Sequence, residues 1–465
     1  MRNIYNSPLI NGNCTKEMSY LFSDDMKYIT WRKLWTVLAE SEMELGYSIT
    51  PEQISQLKEN INNINYEALE ENEKEIKSEI INNIYAFGLQ CPESKNIIHV
   101  KGDTSYIKDN ADLIIIKEAI SILRVKLIKI INNLLNTAIK YKDLPILGYF
   151  DYSGQGIMTV GKKIGFWIKD LLIDYKNLEY ILSNIEFKGI KGLWGNQLDL
   201  MELFDNDKEK VNTLDRMVTA KMGFDRSFKL CGKFYSKKMI SIVLDFLSQI
   251  GETACKFANE YRFLESLREF IDTLNTSYPG SSKKHSIADR MSSLSKAVIS
   301  NSLNGAMTSI NQHYDGGSDE YINQKISIAE SFMEIDEVLN LYMNISADIA
   351  INEELILKHV DDAIPFIAMD KIVQAAVKNG GDKAVISEKM KEIMSDIIKR
   401  RNSGRPDNIL MQSIINDDDF KISEEQFKEI VNPYNFIGRS IDQLDEFIEE
   451  EVMPIIEVNK HIILN

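Results

Sequence analysis

Four long segments with helical periodicity and no internal proline constrain the fold more than any other feature. They span 113–141, 158–182, 236–274 and 319–351. A helix that is apolar on most faces needs neighbours on more than one side, so these segments predict a helical bundle. Strict heptads are absent, which argues against an extended coiled coil. In the first segment, apolar residues form a stripe at helical spacing: Ile116, Ile120, Leu123, Leu127, Ile130, Leu134 and Ala138.

Shorter helices are predicted on both sides of these segments. Residues 17–45 carry apolar side chains at three- and four-residue spacing and end at Gly46, a typical helix stop. After about residue 353 the helices shorten, with breaks at Gly380-Gly381 and at 402–406. No strand-rich region and no internal repeat is visible. The sequence therefore predicts an all-α protein whose apolar faces are completed by oligomerisation.

The net charge of the chain limits the classes of partner that it can bind. Its 70 acidic and 54 basic residues give a net charge of −16. Such a field repels DNA and RNA, and the best basic run, Lys283-Lys284-His285, is too short to overcome it. The most apolar segment, 113–141, carries five charges through its middle, so no membrane span is expected. The first residues lack the apolar core of a signal peptide, and we expect a cytoplasmic protein without a membrane or nucleic-acid partner.

The cysteines and histidines give little support for a metal or a disulfide framework. The four cysteines show no CxxC spacing, and the five histidines show no HxxxH or HxH spacing. Reduced structural thiols are the simplest interpretation. We therefore expect neither a metal nor a cofactor.

Two short motifs bear on chemistry. Gly280-Ser281-Ser282 precedes a pair of lysines, and such a loop can activate a hydroxyl or bind an anion. An ordinary solvated loop explains the same letters. His99 lies in an apolar run, where a histidine is more often a core residue than a catalyst. On spacing alone the chain is an all-helical bundle protein of undefined activity.

Several runs, taken together and in order, resemble the eukaryotic type of adenylosuccinate lyase, a member of the fumarase/aspartase superfamily. The resemblance extends over nearly the whole chain. It rests on 7–9, 22–24, 30–35, 38–40, 97–99, 109–114, 159–163, 187–192, 217–219, 436–439 and 447–452.

The resemblance implies a fold and an activity. Members of the family form homotetramers with a central bundle of long helices, and each active site is assembled from three subunits. The implied domains are an N-terminal helical domain at 1–110, a central long-helix domain at 111–352 and a C-terminal helical domain at 353–465. The family's reaction splits a succinyl-amine into fumarate and an amine: a base removes a proton beside a carboxylate, and an acid protonates the departing nitrogen.

The resemblance also assigns candidate site residues. Ser281 keeps the position of the family's base, and His99 keeps that of a histidine that contacts substrate. Asp151 stands where the general acid, a histidine, is expected; an aspartate donates a proton only if burial raises its pKa strongly. The remaining substrate-binding candidates are Gln197, Thr104, Ser105, Ser282, Lys283, Lys284 and His285.

Several other positions depart from the family's pattern. Ser78-Glu79 replaces a histidine–aspartate pair, Ile287 replaces the lysine that holds a carboxylate, and Asp289 replaces an asparagine. Residues at the phosphate-binding positions are also changed, and each lost charged hydrogen bond costs roughly 1.5–3 kcal/mol. The phosphate positions are occupied by Gly12, Asn13, Gly316, Tyr321 and Lys325.

Three hypotheses follow. The first is a diverged lyase that releases fumarate from an aspartate- or succinyl-derived substrate other than adenylosuccinate. The second is an inactive paralogue that serves as a scaffold or as a partner subunit of an active lyase, since a fold does not by itself carry function. The third is new chemistry in the old cleft, for which the residues to watch are Lys101, Lys108, Tyr152, His285 and Asp289.

Overall fold

The computed structural model describes residues 14–151, 153–271, 287–312, 320–403 and 409–464. Within these ranges the chain is almost entirely helical, as the sequence predicts. The N-terminal helices are α1 Lys16–Leu21, α2 Asp24–Glu44, α3 Pro51–Glu59, α4 Tyr66–Asn72 and α5 Glu79–Gln90.

Four long helices correspond to the four predicted segments. They are α6 Thr104–Lys140, α7 Val160–Asn184, α10 Lys238–Ser266 and α13 Glu320–Ala347. Shorter helices connect them: α8 Leu198–Leu203, α9 Lys208–Lys221, α11 Ile287–Asn301 and α12 Leu303–Ile310.

The C-terminal part contains only shorter helices, again as predicted. They are α14 Glu353–Ile367, α15 Met369–Lys378, α16 Lys383–Asn402, α17 Leu410–Ile415, α18 Glu424–Ile430, α19 Ser440–Phe447, α20 Met453–Val458 and α21 Lys460–Ile463. A 3₁₀ turn at Pro433–Asn435 and a π-helical turn at Ile448–Val452 lie among them.

Local sequence signals explain where helix α2 begins and ends. The Ser23 side chain caps it by accepting a hydrogen bond from the Met26 N–H, and Asp24 and Asp25 occupy its first turn. Acidic residues there interact favourably with the helix dipole. The helix stops at Gly46, whose φ of +91° suits glycine.

Two of the predicted long helices are too long at their C-terminal ends. The third helix stops at Ser266 and not at 274, because Arg268 adopts a left-handed φ of +59° and the Glu269 N–H turns back to the Leu264 carbonyl at 3.1 Å. The fourth stops at Ala347. The residues beyond these ends pair as a short antiparallel ribbon, β3 Phe270–Ile271 with β4 Ala350–Ile351.

A β-hairpin that the sequence analysis did not predict lies between α6 and α7. Its strands are β1 Pro145–Phe150 and β2 Ser153–Thr159, paired antiparallel from Pro145 with Thr159 to Phe150 with Ser153. The register shifts after Gly148, which is typical of a bulge. Asp151 lies in the turn.

Contacts divide the chain into two compact units. The first contains the described residues of Met1–Ile128, Ile173–Ala258 and His285–Asn344, and the second those of Lys129–Leu172, Asn259–Lys284 and Ile345–Asn465. The long helices contribute residues to both units. The domain boundaries near 110 and 352 therefore stay predictions.

Each unit has its own apolar core. In the first, Trp35 of α2 stacks on Phe87 of α5 with ring centroids 6.2 Å apart, and Phe257 stacks on Tyr342 at 4.1 Å. In the second, α14 to α18 and strand β1 enclose Leu147, Val360, Ile372, Met390, Ile414 and Phe420. Fully burying such side chains contributes roughly 1.5–3 kcal/mol each. Across the described ranges, no helix is both long and apolar enough to cross a bilayer.

Candidate active site

His99 is held in one orientation by its neighbours in the first unit. The indole Nε1–H of Trp35 donates a hydrogen bond to His99 Nδ1 at 3.0 Å, and the two rings meet edge to face. His99 has a left-handed φ of +66°. A Cβ on Gly102 would lie only 2.8 Å from Nδ1, so only glycine fits beside the imidazole.

This environment fixes the protonation of His99. Burial lowers the pKa of His99 to about 4, although the nearby Asp103 carboxylate opposes that shift. The ring is therefore neutral near pH 7. Since Nδ1 accepts from Trp35, the proton is assigned to Nε2, which remains a hydrogen-bond donor. His99 is arranged to donate a hydrogen bond from a neutral ring and not to act as a strong acid.

Ser105 belongs to a buried polar network at the start of α6. Asp103 Oδ1 accepts hydrogen bonds from the Ser105 N–H at 2.7 Å and from the Ser105 hydroxyl. Lys188, which is fully buried, donates from Nζ to the Ser105 hydroxyl and to the Lys233 carbonyl at 2.6 Å. Ser105 is thus already used inside the protein. Thr104, by contrast, is exposed on the first turn of α6.

The same network continues to a second buried lysine. Asp109 lies between Lys188 and Lys237, with Nζ–carboxylate distances of 3.5 and 3.4 Å. All three side chains are almost completely buried, so the carboxylate offsets part of two buried positive charges. The sequence analysis did not select these residues as functional. Lys188 and Asp109 do lie in runs that carry the family resemblance, and their position in those runs is the one sequence signal that could have identified them.

Gln197 is positioned by its own loop. It has a φ of +57°, its side-chain Nε2 donates to the Ile190 carbonyl at 2.8 Å, and its N–H donates to the Lys191 carbonyl at 2.9 Å. Lys191 forms a buried ion pair with Asp215 at 2.7 Å. One N–H of the Gln197 side-chain amide therefore stabilises the loop, and its second N–H and its carbonyl oxygen remain for a ligand.

A small pocket lies where the resemblance places part of the phosphate cluster. Its volume is about 80 Å³, which is space for roughly two or three waters. Tyr321 and Lys325 line it together with Lys27 and Asp112. Burial raises the pKa of Asp112 to about 6, although Lys237 opposes the shift. The wall therefore combines two lysines with one carboxyl group.

Ser78 and Glu79 occupy the positions of the family's histidine–aspartate pair, and Glu79 forms an ion pair with Lys27. Ser78 precedes α5, and Glu79 receives hydrogen bonds from Lys27 at 2.7 Å and from the Tyr28 hydroxyl at 3.1 Å. Burial favours the neutral acid, but Lys27 outweighs it and lowers the pKa of Glu79. Glu79 is therefore a charged partner of Lys27.

Asp151 lies in the second unit, exposed in the turn of the β1–β2 hairpin with a φ of +46°. The described residues do not bury Asp151, whereas an aspartate that donates a proton has to be buried. Its catalytic role stays a prediction. Other candidates lie outside the described residues, and they are Tyr152, Ser281, Ser282, Lys283, Lys284 and His285.

The other residues marked for new chemistry are spread over the first unit. Lys101 forms an ion pair with Glu202 at 3.4 Å, Lys108 lies 4.8 Å from the centre of the Tyr321 ring, and Asp289 is in the first turn of α11. No group of three or more histidine, cysteine, aspartate or glutamate side chains in the described part of the chain is arranged to hold a metal ion.

Comparison with solved structures shows the fold. A 3-carboxy-cis,cis-muconate lactonizing enzyme from Pseudomonas putida superposes with a TM-score of 0.80 at 12% identity, covering 94% of this chain and 97% of that one. A fumarate lyase from Mesorhizobium sp. BNC1 gives a TM-score of 0.76 at 13% identity, over 96% and 100%. The chain therefore has the all-α fumarase/aspartase-type fold.

Comparison with curated sequences shows the family. The adenylosuccinate lyase of Schizosaccharomyces pombe is 31% identical over 467 residues, which is 99% of this chain and 97% of that protein. The enzyme of Saccharomyces cerevisiae is 31% identical over 96% of this chain and 95% of its own length. No family model matches the chain. Because similarity at this level extends from end to end, the chain belongs to the adenylosuccinate lyase family.

Proposed function

We propose that the protein is a lyase that releases fumarate from an aspartate- or succinyl-derived substrate. The Ser281 oxygen, in its alkoxide form, takes a proton from the carbon beside a carboxylate and becomes a hydroxyl; the electron pair left behind forms the carbon–carbon double bond, and the carbon–nitrogen bond breaks. The departing nitrogen receives a proton from an acid, for which Asp151 and His285 are the candidates. The products are fumarate and an amine.

The observation that carries this proposal is the state of His99. Trp35 at 3.0 Å and burial together keep a neutral ring with an N–H at Nε2. A donor fixed in this way suits a substrate carboxylate whose negative charge grows as the proton leaves the neighbouring carbon.

The substrate is proposed to differ from adenylosuccinate. The pocket at Tyr321 and Lys325 is small and contains the Asp112 carboxyl group. The family's pattern has a serine where this pocket has Tyr321 and an arginine where it has Lys325, and a lysine does not make the bidentate contact that an arginine makes to a phosphate. The losses at Gly12, Asn13 and Gly316, which lie outside the described residues, point the same way.

The protein is further proposed to be a homotetramer. On α12, Leu303, Met307 and Ile310 are 65%, 53% and 70% exposed, and their spacing puts them on one face of the helix. An apolar face of this kind favours burial against another subunit. A cytoplasmic location is also proposed, supported by four free cysteines.

A second candidate function is an inactive scaffold or partner subunit. It is favoured by the way two candidate binding groups are used: Ser105 is held by Asp103 and Lys188, and the Gln197 amide nitrogen is held by Ile190. Groups committed to internal bonds are less available to a ligand.

Fumarate release distinguishes the two candidates. Purified protein is incubated with a panel of N-succinyl amines and amino acids that includes adenylosuccinate, and fumarate is followed by its ultraviolet absorbance. A diverged lyase turns over at least one compound other than adenylosuccinate, and Ser281→Ala abolishes that turnover. Ser300→Ala, an exposed change on α11, is the matched control and keeps full activity. No fumarate from any compound, with Ser281→Ala behaving like wild type, rejects the lyase and favours the scaffold.

A further inference from the structure

A large open cleft lies in the second unit, and the lyase proposal above assigns a role to none of the residues in its lining, although the hairpin that carries Asp151 forms part of its wall. Its volume is about 770 Å³, within the range of small-molecule sites. The β1–β2 hairpin and one face of α14 form much of its wall. Its lining includes Leu147, Tyr149, His359, Asp362, Phe366 and Ile367.

A buried carboxylate stands behind this cleft. Glu269 is completely buried, and its Oε1 accepts a hydrogen bond from the Tyr149 hydroxyl at 3.2 Å and lies 2.7 Å from His359 Nδ1. Its second oxygen, Oε2, has no hydrogen-bond partner among the described residues. A buried carboxylate is costly unless positive charge or several donors compensate it. This site is therefore under-compensated.

The carboxylate orients the imidazole. Because Oε1 of Glu269 faces Nδ1 of His359 at 2.7 Å, the proton between them is assigned to Nδ1. Nε2 of a neutral His359 is then an acceptor. The His359 side chain is 28% exposed and lines the cleft, so that acceptor is within reach of a ligand. A carboxylate that fixes a histidine in this manner is a recurrent arrangement in binding and catalytic sites.

The walls define what ligand fits. His359, Asp362 and Phe366 are spaced at i, i+3 and i+7 on α14, which puts them on one face of the helix. Asp362 is exposed and supplies negative charge to the lining of the cleft. Leu147, Phe366 and Ile367 add apolar surface to the same lining. An anion is disfavoured here, and a cation with an apolar body is favoured.

We propose that this cleft binds an organic ammonium ion with an apolar or aromatic body. The ammonium group lies between Asp362 and Nε2 of His359, and the body packs on the side chains of Leu147, Phe366 and Ile367. Glu269 is a positioning residue that holds the imidazole. The proposal is independent of the lyase activity, because it requires no turnover and no residue from the unit that contains His99.

Binding of three molecules of the same shape tests it. Phenethylamine, phenethyl alcohol and phenylacetate are titrated into the full-length protein, with calorimetry or ligand-observed NMR as the measurement. We expect the amine to bind at least about tenfold more tightly than phenylacetate, with the alcohol between them. Asp362→Asn weakens the amine by about tenfold and leaves the alcohol unchanged. The matched control is Glu388→Gln, an exposed acid on α16 that does not line the cleft.

The role of Glu269 needs a separate measurement. Glu269→Gln removes the charge with almost no change of volume, and it shifts the imidazole of His359 toward the other tautomer in nitrogen-15 NMR. If Glu269→Gln does not fold, the binding test still rests on Asp362→Asn, because Asp362 is exposed and its replacement does not disturb the core. Phenylacetate binding as tightly as the amine, or amine binding unchanged in Asp362→Asn, overturns the proposal. Neither result bears on fumarate release.

Discussion

The indole nitrogen of Trp35 donates a hydrogen bond to Nδ1 of His99 at 3.0 Å. It comes from the α2 helix, more than sixty residues earlier in the chain, and it leaves Nε2 as the nitrogen of His99 that carries the proton. Trp35 therefore controls the tautomer of His99 although it is a core residue by burial.

Replacing Trp35 with phenylalanine removes this donor and keeps most of the ring. We expect a loss of stability of roughly 1–3 kcal/mol, because a buried acceptor is left without its partner. The imidazole of His99 then populates both tautomers, which nitrogen-15 NMR reports directly. Trp194→Phe is the control, since Trp194 is 61% exposed. Wild-type His99 with its proton on Nδ1 would contradict the assignment.

The depressed pKa of His99 makes stability depend on pH. Burial lowers it from 6.5 to about 4, so between these values the unfolded chain binds a proton that the folded protein does not. The free energy of unfolding therefore falls as pH decreases through that window, by roughly 3 kcal/mol in total. His99→Asn, which tolerates the left-handed backbone, removes this contribution. Urea unfolding of both proteins across the window measures it, and parallel curves would reject the shift.

Glu42 makes the free energy of unfolding depend on pH in the opposite sense to His99. It is completely buried on α2, both carboxylate oxygens lack a hydrogen-bond partner among the described residues, and burial raises its pKa from 4.5 to about 8. The folded protein holds the proton longer, so the free energy of unfolding falls as pH rises between those values. The Glu42→Gln variant cannot ionise. Near pH 8 its free energy of unfolding is therefore expected to exceed that of wild type by up to roughly 4 kcal/mol. Thermal unfolding of the two proteins through this range tests it, and a difference that does not grow with pH contradicts it.

The sequence predicted the four long helices because their periodicity is sustained over many turns. It missed the β1–β2 hairpin, since glycines and small polar residues such as Ser153 and Gly154 carry no periodic pattern. It also extended α10 past Ser266, because Leu267, Phe270 and Ile271 continue the apolar pattern while the left-handed turn at Arg268 has no marker such as glycine.

The site was predicted only in part, for a physical reason. The resemblance points to His99 by position, but its hydrogen bond comes from Trp35, 64 residues away in the chain. Contacts between residues distant in the chain are set by packing and leave no local signal. The same holds for Lys188, which sequence alone presents as one more lysine among many.

Lys188 is expected to be essential for folding. Its Nζ is fully buried and donates to the Ser105 hydroxyl and the Lys233 carbonyl, next to Asp109. Lys188→Met leaves these acceptors without their donor, and breaking a buried charge network costs roughly 3–5 kcal/mol. The control is Lys391→Met, whose side chain is 73% exposed. A melting temperature close to wild type for Lys188→Met would show that the network contributes little.

The exposed apolar face of α12 predicts that a single charged substitution on it weakens the association of subunits. Met307 lies between Leu303 and Ile310 on that face and is 53% exposed. If the face is buried between subunits, Met307→Glu places an unpaired charge in an apolar interface and weakens it by several kcal/mol. Light scattering after size exclusion is expected to show four chains of 53.3 kDa for wild type and fewer for the variant. Val385→Glu, at an apolar position on α16 that is 44% exposed, is expected to leave the mass unchanged. A monomeric wild type, or a tetramer indifferent to Met307→Glu, would remove this face from the assembly.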